Sequence, residues 1–264
     1  MNPHSSFARF FHSRVVRLAA IMVLALVSST FAFCGPIHDA ARKGDVKKVK
    51  ALLQADPTLV SSKDNEGNTP LHLAALHGET AVAAALIDAG ADVNAKNNYG
   101  AFTPGDLGGF FAGNSNNHSD PQSLLHVQGL DTRDMKNGYT ALDLALFSFK
   151  HKDLLELLVA KGADVNAMAA SGATPLFWAV MRNQKDDADF LLSKGANINA
   201  ADAYGDTILD CAIRMDNEKM VEYLLTKGPD LNAIDQSQTR PLTYARGMTS
   251  RKPEDLLRKQ GAHE

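Results

Sequence analysis

The chain has 264 residues and a formal net charge of −3; 45% of its residues are apolar and 22% charged. That balance fits a folded chain with a continuous core, and it lacks the basic field that draws in a phosphate backbone, so no nucleic acid is expected as a partner. The two cysteines, Cys34 and Cys211, form neither a CxxC pair nor a zinc spacing, which excludes a disulfide-built scaffold.

The first 35 residues read as an export signal. Arg9, Arg14 and Arg17 precede an apolar run from Leu18 to Val27, and Ser28, Ser29, Thr30 and Ala32 follow it. A basic head, an apolar stretch and small residues after it are the pattern of a secretory segment. The run falls short of the ~20 apolar residues that a membrane-spanning helix needs. The expectation is a secreted or periplasmic protein, cleaved after Ala32 or Cys34. An uncleaved anchor extended through Phe33, or a lipid on Cys34, would tether it to a membrane instead. Phe33 stands where bacterial lipoprotein signals carry a small residue, which argues against the lipid.

From Ile37 onward two phrases recur. One runs Gly67-Asn68-Thr69-Pro70-Leu71-His72-Leu73-Ala74-Ala75. It returns at Gly138–Ala145, Gly172–Ala179 and Gly205–Ala212, and its last echo is Arg240-Pro241-Leu242-Thr243-Tyr244-Ala245. The other runs Gly90-Ala91-Asp92-Val93-Asn94-Ala95 and returns from Gly162, Gly195 and Gly228, with Gly261-Ala262 as a truncated copy. Glycines 138, 172 and 205 are spaced by 34 and 33 residues.

Elementary chemistry accounts for the recurring residues. Thr69, Thr140, Thr174 and Thr207 sit where a helix begins and can accept from the free amides of the first turn. Pro70, Pro175 and Pro241 follow at the first helical position, where a missing N–H is harmless. Leu71, Ala74 and Ala75 have helical spacing, and the alanines let neighbouring helices approach closely. A second helix ends in Leu157-Leu158, Leu191-Leu192 or Leu224-Leu225, and Gly162, Gly195 and Gly228 terminate it. One such unit cannot bury its own apolar face, so stacking must supply the core.

This pattern resembles the ankyrin repeat, whose period is ~33 residues around a Thr-Pro-Leu-His phrase. The resemblance implies an all-α solenoid of stacked helix pairs, acting as a non-enzymatic scaffold that binds another protein. The units fall at 36–63, 64–96, 134–168, 169–201, 202–234 and 235–264. The first and last, with polar helices, read as caps. An insertion at 97–133 interrupts the array. Thr103-Pro104 starts a repeat there, and Gly105, Gly108, Gly109 and Gly113 break it at ~1 kcal/mol each. Phe102, Leu107, Phe110, Phe111, Leu124, Leu125 and Val127 make the insertion too apolar for a plain linker. It is expected to fold back over the concave face and contribute to the partner site; the alternative is a tolerated surface insertion.

In the resembled family, partner-binding residues are the variable ones on turn tips and on the exposed side of the inner helix. Mapped onto this chain they are Asn65, Glu66, Asn68, Leu76 and His77, then Lys136, Asn137, Tyr139, Phe147 and Ser148. The later units offer Ser171, Met181 and Arg182, then Tyr204, Asp206, Arg214 and Met215. Tyr139, Phe147, Tyr204, Met181 and Met215 would form an aromatic and thioether strip if all faced outward, as interface centres favour.

His72 occupies the histidine of the family phrase and is expected to hold a structural hydrogen bond. Asp143, Phe177, Asp210 and Thr243 replace it elsewhere, which departs from the family pattern. His118, Asp120 and His126 in the insertion have no recognised metal-ligand spacing, so no metal or other cofactor is expected. Asn117-His118-Ser119 is a glycosylation sequon. There is no GxSxG, HExxH, P-loop or strand-associated GxGxxG. Asp186 and Asp187 read as a solvated helix start, and Cys211 aligns with Leu73 and Trp178 as a packing residue.

Overall fold

A computed structural model describes residues 35–98, 138–148 and 152–263. The export segment, Cys34, Lys136, Asn137, the sequon and the His118, Asp120 and His126 trio lie outside these residues. The described chain divides into two compact units: one holds the described residues up to 169, the other residues 170–263.

The first unit contains α1 (Pro36–Arg42), α2 (Val46–Ala55), a 3-10 turn (Pro57–Ser61), α3 (Pro70–His77), α4 (Thr80–Asp88), α5 (Ala141–Ala145) and α6 (Lys152–Ala160). The helices α1, α3 and α5 pack side by side, and α2, α4 and α6 form a second row behind them. The second unit contains α7 (Pro175–Met181), α8 (Lys185–Ser193), α9 (Ile208–Arg214), α10 (Glu218–Leu225), α11 (Pro241–Ala245) and α12 (Lys252–Lys259). There α9 packs between α7 and α11, and α10 against α12.

Helices of 5–10 residues do not persist alone, because nucleating a helix is unfavourable until ~12–15 residues share the cost. Neighbour packing supplies the missing stability. Leu71, Leu142, Leu176, Leu209 and Leu242 occupy one repeated position and are all buried, as are Ala74, Ala145, Ala179, Ala212 and Ala245 one turn later. The alanines keep the helices close; the leucines fill the space between them.

The second phrase stitches repeats along the opposite edge. Asp92 Oδ1 accepts from the Asn94 amide at 2.9 Å, closing its own turn. Asn94 then reaches the next repeat: its Oδ1 accepts from Asp164 N at 2.8 Å and its Nδ2 donates to Gly162 O at 3.0 Å. In the second unit Asn199 accepts from Asp230 N at 2.8 Å and Asn232 from His263 N at 3.0 Å. A short amide side chain with both donor and acceptor suits this place, which explains why Asn recurs there.

Turn tips form a second ladder. Asp64 Oδ1 accepts from Glu66 N and Asn68 N, and Gly67 N donates to Asp64 O. Asn97 repeats that closure across the insertion: Asn97 N donates to Tyr139 O, Gly138 N to Asn97 O, and Tyr139 N to Asn97 Oδ1. The chain thus leaves one ordinary turn after Asn98 and re-enters it at Gly138, so the repeat on either side keeps its hydrogen bonds. At the tip before α11 the glycine position is held by Gln238, at φ 59°, a left-handed conformation that favours glycine.

Candidate partner-binding face

Inner helices α3, α5, α7 and α9 each begin at a threonine N-cap, and the capping side chains belong to the framework. In the first unit the Thr69 N–H donates to His72 Nδ1 at 3.1 Å, so that nitrogen carries no proton. The other ring nitrogen, Nε2, donates to Tyr139 O of the next repeat at 3.0 Å. Burial holds the His72 imidazole down at about 4, so at neutral pH the ring is uncharged. His38, in the same place one repeat earlier, bonds to the Ser62 and Asn68 carbonyls at 3.2 and 3.1 Å.

Where histidine is replaced, aspartate rebuilds half of this arrangement. Asp143 Oδ2 accepts from Thr140 N and Thr140 Oγ1, both at 2.8 Å. Asp210 Oδ2 does the same with Thr207, at 2.9 and 2.6 Å. The shorter side chain satisfies the cap but has no proton for the neighbouring repeat when ionised. Burial pushes the Asp143 carboxyl up to about 7 and that of Asp210 up to about 6.

Several residues expected on the outer side are instead part of the framework. Asn68 is buried, its amide donating to Asp64 and Glu66 and its Oδ1 accepting from Asn97. Tyr139 is buried beside the neck of the insertion, its backbone locked by Asn97. Phe147 and Ser148 are buried because α5 stops at Ala145 and the chain tightens, Phe147 N reaching Leu144 O and Ser148 N reaching Ala145 O. Leu76 and Ser171 are buried too. Asp206 is buried and ion-paired with Arg214. The five-member aromatic and thioether strip is therefore not presented; Tyr139 and Phe147 leave it. Asp187 is likewise buried, while Asp186 is exposed, which corrects the reading of the pair as a solvated helix start.

The remaining described candidates reach the surface. In the first unit Asn65 is exposed at a turn tip, Glu66 is half-buried beside it, and His77 is half-buried at the end of α3. Desolvation first, then the Arg42 charge, lowers the His77 imidazole, which keeps it a neutral donor and acceptor. In the second unit Met181 and Arg182 end α7, Arg214 and Met215 end α9, and Tyr204 sits on the tip before α9; all five are half-exposed. The Arg214 guanidinium lies over the Tyr244 ring, 5.3 Å from its centroid. Thioethers and planar cations held at a helix end make an adaptable, polarizable surface suited to contact with a protein.

Cys211 is buried and its thiol is pushed well up, first by burial and then by Asp202, Asp206 and Asp210; that is a packing group, not a nucleophile. Among the described residues no group of three or more His, Cys, Asp or Glu is placed to hold a metal ion, and no helix is long and apolar enough to cross a membrane. The buried carboxylates of Asp202, Asp206, Asp210 and Asp235 escaped the sequence reading. Part of their signal was present: Asp202 and Asp235 stand three residues before the turn positions held by Gly205 and Gln238, as Asp64 does before Gly67, and Asp210 shares the histidine slot with Asp143.

A family model described as ankyrin repeats in three copies matches residues 22–97 and 168–235, and a single-repeat model matches residues 137–169. The chain is 46% identical over 59 residues to the serine/threonine-protein kinase VIK of Arabidopsis thaliana, covering 22% of this chain and 14% of that protein. It is 32% identical over 138 residues to a transient receptor potential cation channel subfamily A member 1 homolog of Caenorhabditis elegans, covering 52% and 11%. It is 40% identical over 65 residues to ankyrin repeat domain-containing protein 13C-B of Xenopus laevis, covering 25% and 12%. The chain thus spans under a sixth of the length of these curated relatives. Among solved structures it is similar to one chain of a complex between the Bd0816 predatory endopeptidase from Bdellovibrio bacteriovorus and immunity protein Bd3460. The TM-score is 0.62 at 24% identity, covering 86% of this chain and 98% of that one; at such identity the likeness speaks for the fold. With repeat models matching more than half of its length, the chain belongs to the ankyrin-repeat family.

Proposed function

We propose that this protein is a non-enzymatic scaffold, exported across a membrane to a secreted or periplasmic location, that binds a partner protein through the ends of its inner helices and through the insertion. The repeats of this family generally bind other proteins and are generally non-catalytic, and the solved neighbour comes from a complex of two proteins. One observation carries the reading. The recurring residues are spent on caps, turns and core, while Met181-Arg182 and Arg214-Met215, which differ between repeats at the ends of α7 and α9, reach the surface. The insertion springs from a turn tip in the same repeat array, with its neck closed by Asn97, so it can vary without disturbing the stack.

The test is partner capture by the exported chain, with the captured protein identified by mass spectrometry. Met181→Ala with Arg182→Ala and Met215→Ala is expected to weaken capture about tenfold or more and to leave the melting temperature unchanged. Deleting 104–133 is expected to weaken it further. Undiminished capture by both variants would refute the assignment of the face. Export is tested separately by the mass of the mature N-terminus, expected to begin after Ala32 or Cys34; an intact Met1 on the exported protein would contradict cleavage.

A further inference from the structure

The turn before α9, the helix α9 and the turn before α11 bring Asp202, Asp206, Asp210 and Asp235 together, all buried. Asp202 Oδ1 is spent on the amides of Tyr204 and Asp206, at 2.8 and 2.9 Å. Asp235 Oδ1 is spent on Thr239 N at 2.8 Å, and Asp210 Oδ2 on the Thr207 cap. That leaves Asp202 Oδ2 and Asp210 Oδ1 buried with no donor. The Asp206 side chain is ion-paired with Arg214; desolvation raises its carboxyl, and the Asp235 charge adds to the rise. Two ionised carboxylates so placed repel, because neither holds a proton to share. The Tyr244 hydroxyl donates to Asp235 Oδ2.

The surrounding elements supply little positive charge. Helix α9 contributes Asp210, the Cys211 thiol and Arg214; α11 contributes Tyr244, with Arg240 as its N-cap. Helix α7 carries no titratable side chain, and Arg182 at its C-cap has the Asp187 charge beside it. On α10, Lys219 is exposed and Glu218 and Glu222 pair with Lys252 of α12.

We propose that this cluster is a proton-operated latch on the last repeats: mild acid fills it with protons and locks α9 against α11, and rising pH empties it and loosens them. A proton between Asp206 and Asp235 turns a repulsive contact into a hydrogen bond. A proton on Asp210 supplies the donor that His72 supplies in the first unit. Burial raises the carboxyls of Asp202 and Asp210 to about 6 and that of Asp206 above its ordinary range. Folded-state values above the unfolded ones mean that this contribution to stability is complete below the ordinary carboxylate range and is lost as pH rises through about 6.

The reporter is built in, since the chain's one tryptophan, Trp178, lies on α7 of this unit. Urea unfolding of the full chain, followed by Trp178 fluorescence, is compared at pH 5 and pH 8. Each carboxyl that titrates near 6 makes the unfolding constant about tenfold smaller at pH 5, so two give about a hundredfold. Asp202→Asn with Asp210→Asn should remove that contribution, read as the difference between wild type and variant so that His72 and Asp143 of the first unit cancel. A difference that is the same at pH 5 and pH 8, or larger at pH 8, would overturn the proposal. Should the variant not fold, carboxyl-carbon NMR of the wild type decides. The Asp202 and Asp210 resonances are expected to titrate near 6; both titrating in the ordinary carboxylate range would overturn it.

Discussion

Replacing Gly172 with alanine lowers stability by about 3 kcal/mol, the larger of two effects expected at glycines that share a left-handed backbone. Gly172 sits at φ +77°, and an added Cβ would lie 2.6 Å from Ala203 N and from the Cα of Asp202, backbone atoms of the next repeat's turn. Those atoms cannot step aside, because Ala203 N donates to Ser171 O at 3.1 Å and ties the two tips together. Gly195 has a similar φ of +90° and nothing within 4 Å of the added atom. Alanine there meets only the left-handed strain, about 1 kcal/mol. Urea midpoints of the two variants, read from Trp178, separate close approach from backbone conformation; equal losses would mean that the turn ladder does not bind the repeats.

His72→Ala is expected to cost roughly 3 kcal/mol and to abolish an acid sensitivity of the first unit. The substitution removes the acceptor for Thr69 N and the donor to Tyr139 O, and empties a buried ring's volume. Burial holds the imidazole at about 4, below its usual 6.5. A depressed folded-state value means the stabilisation is present above the ordinary histidine range and lost as pH falls toward 4, roughly 2 kcal/mol between pH 7 and 4.5. Asp143 works in the opposite sense, since burial raises it to about 7 and its contribution fades as pH rises. Amide exchange across α3 and α4 is the readout. Compared between the two proteins, so that the Asp143 contribution common to both cancels, the variant's deficit in protection should be largest at pH 7 and shrink by roughly 2 kcal/mol toward pH 4.5; a deficit that does not change with pH would rule out His72 as its source.

The framework was legible because each of its residues answers a backbone demand that recurs every repeat. Thr207 and Pro175 start helices, Leu142 and Leu176 fill one column, and Asn94 and Asn199 each reach the next repeat's amide. The outer face was harder to read, because exposure depends on where each inner helix ends. Phe147 shares its register with Met181 and Arg214, but α5 spans five residues where α7 and α9 span seven, and the early stop turns the phenylalanine inward. Tyr139 was misplaced for another reason: the sequence does not say that Asn97, 42 residues away, closes the same turn. Asp206 reads as a tip residue in the sequence, but it is buried and ion-paired with Arg214.

On the proposed function, the helix ends of the inner row, not the outer row, meet the partner. Photo-crosslinking side chains placed singly at positions 181, 215 and 219 of the exported chain test it most directly. Position 215 ends α9 and position 181 ends α7, while Lys219 is exposed on the outer helix α10. Crosslinks to one and the same protein from 181 and 215, with none from 219, are the predicted result; crosslinks from 219 alone would contradict it.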